Sequence, residues 1–288
     1  MKKIDTHLHL FYPERFTYSW TADFPELQQP FHLEDYRAAS ADCGVEGALF
    51  MEVDVDTADT RRETDFFSDM AGDPSNGILG IVASGRPEES GFEAHLDSIR
   101  SPALKGLRRV LHTQPDDLSQ SSRFRSNLAT LAGKGLTFDL CVTQKQLTIA
   151  LDLVRACPDV SFILDHCGVP SIAEHTSADS ESWQQWQGGI RALAKLPNVA
   201  CKFSGITAYA SPEQRNADGL RPYLSEILAA FGSERIVWGS DWPVCNLADG
   251  LQRWSEITDQ LLAELSPDEQ ARISIENAKR IYRIQTLG

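Results

Sequence analysis

Short apolar runs alternate with longer segments of helical periodicity from one end of this 288-residue chain to the other. The runs fall at 4–8, 47–51, 78–82, 104–110, 137–140, 161–164, 199–203 and 236–238. The intervening segments predict helices at 56–70, 92–99, 127–134, 146–156, 183–195, 220–231 and 250–265. A terminal helix opens at Ser266-Pro267-Asp268-Glu269, where a serine N-cap precedes proline at the first helical position. Strands that alternate with helices form a parallel sheet with both faces covered. Eight such units predict one closed (β/α)8 TIM barrel spanning 1–288 as a single domain. A doubly wound sheet usually has fewer strands and a G-x-G-x-x-G turn after the first, which this chain lacks there.

Three long irregular stretches, 11–30, 171–182 and 204–218, each follow a strand. In a barrel such loops lie on the C-terminal face, where active sites are built, so all three are expected to wall or cover a substrate.

The net charge of −14 argues against binding nucleic acid or an anionic membrane surface and leaves a small molecule as the expected partner. No apolar run approaches the ~20 residues of a membrane span. The start, Met1-Lys2-Lys3-Ile4-Asp5, is broken by charge too early to read as a signal peptide. The six cysteines are scattered with no C-x-x-C, which suits reduced, buried thiols in a cytoplasmic protein.

Reactive side chains collect at the C-terminal ends of the runs. His7 and His9 lie two apart on the first strand, so their imidazoles share a face. They can ligate a divalent metal or hold a substrate; a buried hydrogen-bond network is the bland alternative. Asp241 ends the eighth strand, which in a closed barrel lies beside the first. It can serve as metal ligand, as general base on water, or both, against a simple helix cap. His166, after the sixth strand, can orient water, polarise a carbonyl or bind metal; a surface Asp-His pair is the alternative. Glu52 at the second strand is a further ligand candidate.

Arg108 and Arg109 alternate faces, so one is expected to enter the barrel and hold substrate oxygens while the other pairs with a helix. Lys202 either supports a developing negative charge or forms an ion pair inside the barrel with an acid such as Glu52. His112, Trp20 and Trp242 complete the substrate-binding candidates, the tryptophans as walls for a sugar ring. His32 and His175 are weaker candidates in substrate loops.

Taken in order, Asp5-Thr6-His7-Leu8-His9-Leu10-Phe11, Lys105-Gly106-Leu107-Arg108-Arg109-Val110-Leu111 and Leu164-Asp165-His166-Cys167-Gly168-Val169-Pro170 make a recognisable pattern. Cys201-Lys202-Phe203-Ser204-Gly205 and Gly239-Ser240-Asp241-Trp242-Pro243-Val244 continue it. Over nearly its whole length the chain resembles the amidohydrolase superfamily. More narrowly it resembles the amidohydrolase-2 group that includes lactonases of fuconolactone and rhamnonolactone. The resemblance implies hydrolysis of a sugar-acid lactone around His7, His9, His166 and Asp241. Two-metal members bridge their ions through a strand-four lysine, and many one-metal members add a strand-five histidine; neither residue is present here. One divalent cation, zinc first, held by His7, His9, Asp241 and Glu52 is therefore expected, with a metal-independent site as the alternative. The rival enzyme reading is a metal-dependent decarboxylase or hydrolase of an unsaturated cyclic or dicarboxylic acid. The non-enzymatic rival is a sugar-acid binding protein.

Overall fold

A computed structural model describes residues 1–175, 177 and 179–284. Eight parallel strands run in sequence order around one sheet: β1 Lys3–Leu8, β2 Val45–Met51, β3 Ile78–Ser84, β4 Leu104–Val110, β5 Thr137–Cys141, β6 Ser161–Leu164, β7 Val199–Phe203 and β8 Ile236–Trp238. Every run read from the sequence is one of these strands, within two residues at each end. The helices between them are α1 Leu33–Ser40, α2 Thr60–Gly72, α3 Phe92–Ser98, α4 Ser122–Ala129, α5 Leu147–Ala156, α6 Glu181–Ala194, α7 Ala217–Phe231 and α8 Gly250–Leu262. This is the (β/α)8 barrel. The terminal helix opens as expected: the Ser266 hydroxyl accepts from Glu269 N while the Glu269 carboxylate accepts from Ser266 N, starting α9 Pro267–Ala271. A wider turn, Arg272–Glu276, carries it into α10 Asn277–Ile281.

Two helices depart from the expectation. α1 was not anticipated, because its eight residues interrupt what reads as loop; Asp35 Oδ2 accepts from His32 N at its start and Tyr36 anchors it inside. α4 starts five residues earlier than the 127–134 segment predicted, because Ser121 Oγ accepts from Phe124 N and fixes the N-cap there. Of the expected 171–182 loop, positions 176 and 178 lie outside the described residues.

The seam between β8 and β1 is closed by the residues beyond β8. Asp241 N donates to His7 O at 2.9 Å, His9 N to Trp242 O at 2.8 Å, and Thr6 Oγ1 to Trp238 O at 2.7 Å. Asp241 is thereby stitched to the histidine strand.

Side chains from alternate positions fill the barrel interior. Ile4, Leu49, Met51, Val82, Ile163, Ala200 and Val237 form its lower layers, closed from below by Ala278 and Tyr282 of the terminal segment. β1 carries one extra residue relative to β2: Asp5 faces Ala48 but Leu8 faces Phe50. This bulge lets Ile4 join the interior cluster at the bottom while His7, three residues on, also points inward. Strict alternation from Ile4 would have turned His7 outward. Outside the sheet, a second apolar cluster packs the helices onto the strands.

Candidate active site

The mouth of the barrel is built on a buried ionic floor. Lys202 of β7 is fully buried, enclosed by Asp139 Oδ2 at 2.7 Å, Asp165 Oδ1 at 2.9 Å and His7 Nδ1 at 3.1 Å. The Tyr282 hydroxyl donates to the same Asp139 Oδ2 at 2.8 Å. Burial opposes charge on Asp165, yet Lys202 and then His7 outweigh it and hold this carboxyl well below its usual value. On Lys202, burial is likewise overcome by its two acids, so the ammonium stays protonated. This corrects the expectation that Lys202 touches substrate: no direction around its nitrogen is left open. The interior ion pair was foreseen as the alternative, but its partners are Asp139 and Asp165 in place of Glu52.

Above this floor the imidazoles converge on Asp241. Its Oδ1 lies 3.6 Å from His7 Nε2, 3.5 Å from His9 Nε2 and 3.8 Å from His166 Nε2. His7 and His9 face each other through their Nε2 atoms at 3.1 Å, as a shared strand face requires. His9 Nδ1 lies 2.9 Å from the Met51 carbonyl, which can only accept, so Nδ1 holds the proton and Nε2 presents a lone pair. His166 Nδ1 is 2.9 Å from Ser204 Oγ.

Burial drives the titrations here. It lowers His7 well below its usual range, with Lys202 adding to the effect, and lowers His9 to about 3 with Arg108 adding. It lowers His166 too, although Asp241 and Asp165 oppose the shift. All three histidines are therefore neutral near pH 7. Burial pushes the Asp241 carboxyl up to about 6 against the pull of His166 and Arg108. That value places a carboxylate base close to its operating pH.

The backbone under these groups is unusual. Asp241 has φ +60° and His166 φ +50°, and the run continues through Cys167 at +54° and Val169 at +45°. Such conformations cost on the order of 1–3 kcal/mol each and collect at functional sites. Glycine makes the close packing feasible: a Cβ at Gly239 would stand 2.9 Å from His7 Cβ.

The two arginines separate as one in, one out. Arg108 is inside, with Nε donating to Glu52 Oε1 at 2.5 Å, Nη2 to Glu52 O at 2.6 Å and Nη1 3.3 Å from His7 Nε2. Arg109 turns outward and its Nε donates to Glu88 at 2.8 Å, which removes it from the substrate set. Glu52 is engaged by Arg108 on one oxygen and by Asp54 N on the other, so the expected ligand role is corrected as well. Trp242 is 3% exposed and packs edge-on against Phe31 and tilted on Tyr36, so it is a core residue and not a sugar wall. Trp20 is half-buried, with its indole N–H donating to Val53 O at 2.8 Å and its ring against Phe11. His112 sits exposed at the rim with Nδ1 3.2 Å from Cys141 Sγ. His175 belongs to an aromatic cluster with Trp183, Trp186 and Tyr223 and lies 2.8 Å from the Tyr223 hydroxyl. His32 lies at the start of α1, its ring stacked on Tyr12.

The donor set fits one divalent cation. Tetrahedral zinc with bonds near 2.0–2.2 Å separates its ligand atoms by about 3.4 Å. The Oδ1 and Nε2 atoms stand 3.1–3.8 Å apart in the four pairs above. His7, His166 and Asp241 form a metal-competent cluster with ligand atoms within 4.8 Å of one another. An acid with a pKa near 6, two neutral nitrogen donors on one strand and a third opposite make a centre for activating water.

The chain belongs to the amidohydrolase family: the family model described as Amidohydrolase matches residues 4–284. Within it, the chain is similar to the L-fucono-1,5-lactonase of Burkholderia ambifaria, 29% identical over 291 residues that cover 98% of this chain and 96% of the relative. It is 25% identical over 289 residues to the 4-sulfomuconolactone hydrolase of Rhizobium radiobacter, covering 97% and 89%. The fold matches a Burkholderia multivorans amidohydrolase crystallised with bound zinc at a TM-score of 0.88, with 24% identity and coverage of 99% and 100%. Among the described residues, no helix is long and apolar enough to cross a membrane.

Ser204, legible in the sequence as a polar residue at the end of β7, supports His166; its partner was not legible.

Proposed function

We propose that this protein opens the ring of a sugar-acid lactone, with Asp241 as the base that activates water. The observation that carries this reading is Asp241 Oδ1, after β8, at 3.5–3.8 Å from three imidazole Nε2 atoms, two from the end of β1 and one from the end of β6. In the reaction, Asp241 takes a proton from water as the water oxygen bonds to the lactone carbonyl carbon. The carbon–ring-oxygen bond then breaks, and the proton held by Asp241 passes to the departing ring oxygen. His166 orients the water or the carbonyl, and Ser204 holds the ring of His166 in place. Arg108 Nη1, beside His7, contributes positive potential where the oxyanion develops.

His7, His166 and Asp241 would hold one divalent cation, with His9 beside them, and zinc is our first assignment. When bound, it would polarise the carbonyl. The closeness of those three ligand atoms, all within 4.8 Å of one another, supports this assignment.

An uncharged lactone suits the pocket better than the dicarboxylate of the decarboxylase reading. The three cations that the sequence sends toward the mouth are each neutralised: Arg108 by Glu52, Arg109 by Glu88, and Lys202 by Asp139 and Asp165. A dianion would gain little uncompensated positive charge from these three residues. The partner is thus a neutral polar small molecule of carbohydrate metabolism.

The test is a pH-indicator assay over a panel of aldonolactones, with and without chelator, beside elemental analysis of protein purified without added metal. Turnover of at least one 1,4- or 1,5-aldonolactone is expected. No turnover of any lactone, with metal supplied, would sink the proposal.

A further inference from the structure

Gly205 follows β7 at φ +64° and opens the tight turn Ile206–Tyr209. The turn starts against the site, because a Cβ at Gly205 would lie 2.6 Å from both Asp241 Oδ2 and His166 Nδ1. Its last residue, Tyr209, is half-buried. It belongs to neither apolar cluster. Among the described residues, no aromatic ring packs on it and its hydroxyl has no hydrogen-bond partner. The other phenols of the barrel differ. Tyr36 donates to Asp5, Tyr18 and Tyr12 accept from backbone N–H groups, Tyr223 pairs with His175, and Tyr282 donates to Asp139.

The Tyr209 hydroxyl is not among the buried unpaired polar atoms, so it stands open to solvent and free to meet a ligand, as the polar tip of a tyrosine does at binding sites. The phenol ends a four-residue turn that opens at Gly205 against Asp241 and His166, at the C-terminal end of β7, and it lies within electrostatic reach of Asp241 and Cys141. Burial, followed by those two groups, raises its pKa, so the hydroxyl remains a proton-bearing donor across the working pH range.

We propose that Tyr209 is a substrate-contacting residue: its O–H donates a hydrogen bond to a ring oxygen or hydroxyl of the bound lactone, and its ring covers one face of the sugar. The phenol keeps its proton throughout, so no covalent or proton-transfer step is assigned to it. The proposal rests on the lactonase reading above and deepens it by naming the residue that reads the polyhydroxylated ring. A neutral hydrogen bond of this kind contributes roughly 3- to 10-fold in kcat/KM.

Tyr209→Phe removes only the O–H, and Tyr209→Ala removes the ring as well. On the best lactone of the panel, Tyr209→Phe is expected to lower kcat/KM about 3- to 10-fold, mainly through KM. Its melting temperature and its affinity for Zn2+ should match the parent. Tyr209→Ala should lose further. Calorimetric binding of the matching open-chain aldonate is run in parallel on both proteins. Kinetics and aldonate binding in Tyr209→Phe equal to the parent overturn the role of Tyr209, whatever the parent hydrolyses. A parent that binds aldonate more tightly than Tyr209→Phe but hydrolyses no lactone overturns the lactonase reading and supports Tyr209 as a sugar-acid contact. A parent that neither binds nor hydrolyses overturns both.

Discussion

Gly205 presses on Asp241 so closely that a methyl group at position 205 would stand 2.6 Å from the carboxylate oxygen Oδ2. The same methyl would meet His166 Nδ1 at 2.6 Å. Gly205→Ala should therefore displace the base and its neighbouring imidazole together, and it adds the strain of an L-residue at φ +64°. Turnover should fall at least about tenfold, since small displacements of reacting groups are costly, with about 1–2 kcal/mol of lost stability from the backbone alone. Steady-state kinetics beside a urea melt would check this; an alanine variant with parental kcat would mean that the site tolerates repacking here.

Asp241→Asn tests the base itself. Loss of general-base action should reduce kcat by about 10²–10⁴. Stability should move the other way. Burial raises the folded-state carboxyl to about 6, against ~3.9 in an unfolded chain. Between those pH values the folded protein retains a proton that the unfolded chain has released, so stability falls as pH rises through the window. Above pH 6 the ionised carboxylate withholds up to about 3 kcal/mol from the metal-free fold. At pH 8, under chelator, the asparagine variant should be as stable as the parent or more so by denaturant titration.

The same titration shapes activity. The reaction needs the ionised base, so kcat/KM should fall tenfold per pH unit below about 6, the value to which burial raises Asp241. Burial holds His7 well below its usual range and His9 at about 3, so neither adds a second limb near 6. An acid limb centred near 4, where an unburied carboxylate would titrate, would contradict the assignment.

Arg108 and Arg109 are neighbours in sequence with opposite fates. Arg108→Met leaves Glu52 as a buried carboxylate without its cation and should cost about 3–5 kcal/mol together with most activity. Arg109→Met leaves the largely buried Glu88 without its cation and so should also cost stability, but it should leave kcat near parental. Paired melts and kinetics separate the two; equal loss of kcat in both variants would refute the inward and outward assignment.

Lys202→Met should strip from Asp139 its only ion-pair partner among the described residues and from Asp165 one of two, and cost about 3–5 kcal/mol. The double variant Lys202→Met with Asp139→Asn restores part of that loss by removing one orphaned charge, which a double-mutant cycle in urea would show. Additive losses in the cycle would mean that the two residues do not act as a pair.

Much of this was legible in the residues. Short apolar runs with helical spacers locate all eight strands, because burial on both faces of a parallel sheet leaves a local mark. His7 and His9 share a face because side chains alternate along any strand, and Asp241 meets them because the last strand of a barrel neighbours the first. α1 was not legible, because eight residues anchored by Tyr36 carry too little periodicity to stand out from loop. Trp242 reads as a sugar platform by type, yet Phe31 and Tyr36 enclose it.

By itself, then, the sequence determined the barrel, its strand order and the end at which the chemistry gathers, since those follow from local pattern and chain connectivity. Only the tertiary structure decided how each charge is used. Whether Lys202 touches substrate or sits in an ion pair depends on Asp139 and Asp165, which lie 63 and 37 residues away along the chain. Whether His7 faces the interior above Ile4 depends on one extra residue in β1. Distances of a few ångströms between groups far apart in the chain set those outcomes, and no local pattern encodes them.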